Sequence, residues 1–228
     1  MNWEDHSRDV PNGVHALFSG SQYAWTNLDM EDEGKFEDAI RNLYYSRYAK
    51  DVGTIIHAWA ADRIYYRMNV VKSDSRSLFI YIMNEYEKLK HEPIPRNVAS
   101  YYVDRCFSNV STYIKDAIGF RLDPEIRLKY ANEFYGTADV ITYKKGEVLR
   151  IHDLKTGLIP AKLRQLEVYA AFCCLEYGID PKEIELIELR IYQNDEILVG
   201  NPPGEVISEL MDRIRKTRSV FEKIKKEG

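Results

Sequence analysis

The chain has 228 residues, is 45% hydrophobic and 30% charged, and carries a net charge of −4, which suits one large domain or a core with a helical annex. That balance excludes a bulk basic field for nucleic acid, though not a local basic groove. No stretch of 18 apolar residues occurs, and Met1-Asn2-Trp3-Glu4-Asp5-His6 has no basic region followed by an apolar run, so neither a membrane span nor a secretory signal is expected.

Residues 1–34 are mixed and turn-rich, with Pro11-Asn12-Gly13 as a breaker. A helical pattern covers residues 35–48, and Asp51-Val52-Gly53-Thr54 reads as a break and restart. Ile55, Ile56, Trp59, Ala60 and Ile64 recur at helical spacing and predict a helix over residues 54–68. Ser75 or Ser77 caps another that runs to residue 90, Pro93 and Pro95 close it, and a further helix covers 97–118. After Asp123-Pro124, residues 126–135 and 137–143 are rich in β-branched and aromatic types, Lys144-Lys145-Gly146-Glu147 is a turn, and 148–154 is another strand. A helix follows over 161–177, with Gly178 where a C-terminal cap belongs, then strands at 184–192 and 197–199 and an amphipathic helix over 205–226. The order predicts a mixed α/β core with a helical N-terminal region.

Alternation puts Asp153 and Lys155 on one face of their strand. Alone, they read as an ordinary surface ion pair. Asp139, a lone acid in the apolar stretch before the turn, changes that. With 145–147 as a three-residue loop, Lys144 faces Val148 and Asp139 falls opposite Asp153; a two-residue loop without a bulge would put them on opposite faces. Facing carboxylates repel, and a divalent cation between them removes the cost. Oxygen ligands suit Mg²⁺ or Mn²⁺, and a neighbouring lysine can orient a nucleophilic water or stabilise a pentacovalent phosphorane, which fits phosphodiester hydrolysis. Gln165 and Tyr169 share one helix face, flanked by Lys162 and Arg164, and can support such a site or contact a phosphodiester backbone. His57 lies on the apolar helix, where a lone histidine is ordinarily a core residue. His152 points away from Asp153 and reads as structural. The doubled tyrosines and the basic residues of the last helix read as packing and as a solvated face.

Four stretches, in order, resemble the RecB-like exonuclease branch of the PD-(D/E)XK nuclease superfamily, which includes phage-encoded members and related CRISPR-associated nucleases. Gly-Thr-x-x-His matches Gly53–His57, Gly-x-x-Asp matches Gly136–Asp139, Asp-x-Lys-Thr-Gly matches Asp153–Gly157, and Gln-x-x-x-Tyr matches Gln165–Tyr169, over residues 53–169. Ser19-Gly20-Ser21 and Trp25 resemble the start of phage members. The resemblance implies a restriction-endonuclease-like mixed sheet flanked by helices, with residues 1–122 contributing the His57 helix to a core at 123–228, together one compact domain. It implies a metal-dependent DNA exonuclease of phage or bacterial recombination or repair, holding one or two Mg²⁺ or Mn²⁺ ions. His57, Asp139 and Asp153 would bind metal, with the Leu154 carbonyl as a further ligand. Lys155 would be catalytic, and Gln165, Tyr169 and Arg164 would support the site or hold DNA. Expected partners are DNA and a recombination protein such as a single-strand annealing protein or a helicase.

Two departures matter. A Glu often follows the motif His by four residues, but here that place is Ala61, with Asp62 beside it, so a second metal is in question. Many relatives carry four cysteines for an iron–sulfur cluster; this chain has Cys106, Cys173 and Cys174, so no cluster and no disulfide framework is expected, and a reducing, cytoplasmic setting is. A DNA-binding module of the same fold without activity, and a scaffold in a recombination or defence setting, remain as alternatives.

Overall fold

The computed structural model describes residues 26–28, 30–157 and 159–227. The turn expected at Pro11-Asn12-Gly13 and the stretch Ser19-Gly20-Ser21 with Trp25 lie outside them. The chain divides into two compact units, residues 1–50 and 51–228. In the first, helix α1 (Glu33–Ser46) starts on Asp32, whose carboxylate accepts the Lys35 backbone N–H at 3.1 Å as an N-cap.

The second unit holds all but the first two residues of α2 (Ala49–Tyr65), then α3 (Asp74–Lys90), α4 (Arg96–Gly119), β1 (Asp123–Ala131), β2 (Phe134–Lys144), β3 (Val148–Leu154), α5 (Arg164–Tyr177), β4 (Leu186–Gln193), β5 (Glu196–Gly200) and α6 (Gly204–Glu227). The strands form one mixed sheet in sequence order. β1, β2 and β3 are an antiparallel meander; β3 and β4 run parallel, with α5 in the crossover; β5 returns antiparallel to β4. The mixed α/β class expected from the element order is what the chain adopts.

Side chains alternate cleanly across the two central strands. Leu149 and Ile151 of β3, with Ile187, Leu189 and Ile191 of β4, join Leu166, Ala170, Phe172 and Cys173 of α5 and Ile207, Leu210, Met211 and Ile214 of α6 in one buried cluster. The intervening His152, Arg190 and Tyr192 face α4, where Tyr113 stacks edge to face on Tyr192 and Asp116 binds Arg190 and Tyr192. A polar face on a buried strand is stable only when its groups are paired. Here Glu188 takes hydrogen bonds from Arg150 at 3.0 Å and Arg190 at 3.2 Å. No helix among the described residues is long and apolar enough to cross a membrane.

Three local expectations are corrected. α2 runs unbroken through Asp51–Thr54: the roughly 1 kcal/mol that glycine costs a helix is offset by burial of Val52, Ile55, Ile56, Trp59, Ala60 and Ile64. α3 starts at Asp74, ahead of Ser75 and Ser77, and the Asp74 carboxylate accepts the Val71 N–H at 2.9 Å. β1 takes in Asp123 and Pro124, which an edge strand tolerates, and it ends at Ala131, so that residues 134 and 135, expected with the first strand-rich stretch, open β2.

Candidate functional site

The β2–β3 hairpin carries the centre of the site. Lys144 pairs with Val148 and Val140 with His152, so residues 145–147 are the three-residue loop, closed by Glu147 N–H to Lys144 O at 3.0 Å. Gly146 takes φ +74°, a left-handed position that only glycine adopts freely. The paired rungs end at Val140 and His152, and Asp139 and Asp153 are the residues immediately beyond them. On the other side of β2, Pro124 pairs with Val140 and Ile126 with Ala138. Glu125 and Asp139 lie between these two paired rungs, with carboxylate oxygens within 4.8 Å of each other. Glu125 sits at φ +54°, a kink in the edge strand.

α2 supplies the imidazole. His57 Nδ1 lies 3.2 Å from Asp139 Oδ2, which also accepts the Leu154 backbone N–H at 3.0 Å. One donor atom each from His57, Glu125 and Asp139 lie within 4.8 Å of one another, a spacing suited to a shared cation. Asp153 is only 2% exposed. Its Oδ1 accepts from Lys155 Nζ at 3.1 Å, and its Oδ2 stands 3.0 Å from the same ammonium.

Lys155 is held from a second side. Its ammonium donates to Gln165 Oε1 at 3.0 Å, and Gln165 Nε2 donates to Tyr169 Oη at 3.0 Å. The two motif glycines explain how these parts meet. A Cβ on Gly136 would come within 2.7 Å of Tyr169 Cε1, and one on Gly53 within 2.9 Å of Thr156 Oγ1. Each glycine lets one motif lie against another. Arg164, the first residue of α5, is exposed and paired with Glu167 at 2.8 Å. Ala61 is half-buried on α2 and offers no ligand.

The electrostatics point one way. Burial, then the Asp139 charge, pushes the Asp153 carboxyl up to about 6, against Lys155 and His57. Desolvation and Asp139 raise Glu125 as well, although its side chain reaches solvent. Burial by itself would lower His57, but its hydrogen bond to Asp139 and the charges of Asp139, Asp153 and Glu125 raise it. All three shifts favour added protons, from burial first at the two acids and from the neighbouring carboxylates at His57. By contrast His152, on the α4 face, is held down at about 4 by burial and by Arg190.

Of the residues singled out from sequence, His57, Asp139, Asp153, Leu154, Lys155, Gln165 and Tyr169 converge, with Leu154 contributing an N–H to Asp139. Arg164 stands apart from the carboxylates in its own ion pair. Glu125 was missed; the signal for it was the hairpin arithmetic carried one strand further back, which needed the turn after Ala131. Comparison with protein-family models, with curated proteins and with solved structures found no match.

Proposed function

We propose that the chain is a metal-dependent deoxyribonuclease of RecB-like exonuclease type, with a restriction-endonuclease-like core. The observation that carries this reading is the buried Asp153 carboxylate, ion-paired to an amine that Gln165 also holds, together with the His57, Glu125 and Asp139 donor atoms that lie within 4.8 Å of one another. The donor set fits a hard divalent cation. His57, Glu125 and Asp139, with Asp153, would hold Mg²⁺ or Mn²⁺, and Glu125 offers the carboxylate that Ala61 does not. Bound there, the ion would supply a water of lowered pKa and neutralise charge developing on a phosphate.

The chain's own groups account for the rest. Lys155 presents a cation at the Asp153 carboxylate, where it can stabilise a phosphorane oxygen or orient the attacking water. Gln165 holds that ammonium at a second point, and Tyr169 holds Gln165. DNA is the proposed substrate, a recombination protein such as a single-strand annealing protein or helicase the proposed partner, and the cytoplasm the proposed compartment. The three cysteines, all free and buried, accord with a reducing setting.

The test uses end-labelled linear and closed circular DNA with Mn²⁺ or with EDTA. Wild type is expected to degrade linear DNA only with metal, and Lys155→Ala to lose about 10²–10³-fold in rate. Tight DNA binding without cleavage would instead favour a DNA-binding module that has lost activity, the reading that Ala61 supports.

A further inference from the structure

We propose that Arg105 and Gln193 are positioning residues that clamp the loop between Lys155 and Gln165 and so set where the Lys155 ammonium stands. The inference rests on the nuclease reading of that lysine. Beyond Lys155, whose backbone N–H makes a last bond to Tyr192 O at 3.0 Å, the chain leaves the sheet. It re-enters regular structure only at Arg164. Gln165, the second residue of α5, must nevertheless arrive within 3.0 Å of Lys155 Nζ. A stretch without strand or helix bonds that contains a glycine and a proline does not hold that distance unaided.

One carboxamide ties the loop at three alternate residues. Gln193 Nε2 donates to Gly157 O at 2.7 Å and to Ile159 O at 2.9 Å, and its Oε1 accepts the Ala161 N–H at 2.9 Å. Gln193 thereby acts as a short surrogate strand, using both its donors and its acceptor. Arg105, half-buried on α4, approaches from the helical side. Its Nη2 donates to the same Gly157 O at 3.2 Å and to Asn194 Oδ1 at 3.0 Å, while Nη1 donates to Tyr101 Oη at 3.1 Å. The loop is fastened both to α4 and to the β4–β5 turn, and neither clamp residue makes a hydrogen bond to the carboxylates. A group that holds the lysine at a distance should change turnover while leaving DNA affinity alone, since small misplacements of reacting groups are costly.

The experiment compares wild type with Gln193→Leu, Gln193→Glu and Arg105→Lys. Gln193→Glu keeps the size and the Ala161 acceptor but turns both donors toward carbonyl oxygens as acceptors. Arg105→Lys keeps the charge and loses the fork. Labelling of Lys155 by an amine-specific reagent, read by mass spectrometry, is expected to speed up in each variant. On linear DNA with Mn²⁺, kcat is expected to fall about tenfold or more with KM within about twofold, and Arg105→Lys to give no rescue. Unchanged Lys155 labelling, or faster labelling with unchanged kcat, overturns the inference. A wild type that does not cleave DNA overturns the nuclease reading instead, and Lys155 labelling then decides the clamp alone.

Discussion

A carboxylate as enclosed as Asp153, with Lys155 as its close cation, is costly to ionise beside Asp139 unless it takes a proton or a further cation. Its pKa is raised, so the contribution of this carboxyl to the stability of the metal-free protein is full where it is protonated, below about 4, and is lost as pH rises through about 6. Metal must displace that proton. The rise in Tm on adding Mn²⁺ is therefore expected to be larger at pH 7.5 than at pH 5 in thermal melts; equal shifts would mean that Asp153 is not where the cation is felt. Asp153→Asn is expected to flatten the difference. Glu125 gives a second residue-scale prediction. If it completes the donor set, Glu125→Gln weakens Mn²⁺ binding by about tenfold, the worth of roughly 1.4 kcal/mol, as read by calorimetry. Unchanged affinity would leave the cation with His57, Asp139 and Asp153.

At the scale of elements, the site depends on close approach between segments more than on any single strand or helix. β2 meets α5 at Gly136, where Tyr169 occupies the place a side chain would take. Gly136→Ala forces the ring aside, and with it the chain of hydrogen bonds from Tyr169 through Gln165 to Lys155. Overpacking of this kind costs about 1–3 kcal/mol, little enough for the fold to survive. The expected result is a soluble, folded variant by circular dichroism whose nuclease rate is down about tenfold or more. A variant with a full rate would show that Tyr169 does not act through Gln165. Gly53 and Thr156 make the matching approach between α2 and the loop after β3, and explain why a glycine persists inside a continuous helix.

Across the whole molecule, the sheet holds its two faces by different means. The α5–α6 side is an apolar cluster; the α4 side is a charge network around Glu188, with the Arg150 and Arg190 guanidiniums over the Phe120 ring at 4.7 and 4.8 Å. Burial alone would raise the Glu188 carboxyl, but Arg190 and Arg150 outweigh it and hold it below its usual range. A depressed acid contributes stability above its unfolded value near 4.5, and that contribution is lost as pH falls through the lower folded value. Glu188→Gln is thus expected to cost about 1–3 kcal/mol at pH 7, with the gap in Tm to wild type closing toward pH 3. A gap that stays constant with pH would mean the charge of Glu188 is not what matters.

The division between what could be read early and what could not follows sequence distance. Turn chemistry at Lys145-Gly146-Glu147 settles the β2–β3 register, and with it the strand ends where Asp139 and Asp153 stand, because a hairpin's pairing is set by its own loop. Periodicity likewise locates the helices and strands to within a few residues. Glu125 was out of reach because the turn after Ala131 contains neither glycine nor proline, and its place beside Asp139 depends on that turn. The apparent break at Asp51–Thr54 misled because burial of the residues around Gly53 keeps the helix continuous, while Thr156, more than a hundred residues on, takes the space a side chain would need there. Arg105 could not be connected to Gly157 at a separation of 52 residues, or to Asn194 at 89. Local backbone preference determined the carboxylate pair; only tertiary packing decided which imidazole, third acid and clamp stand around it.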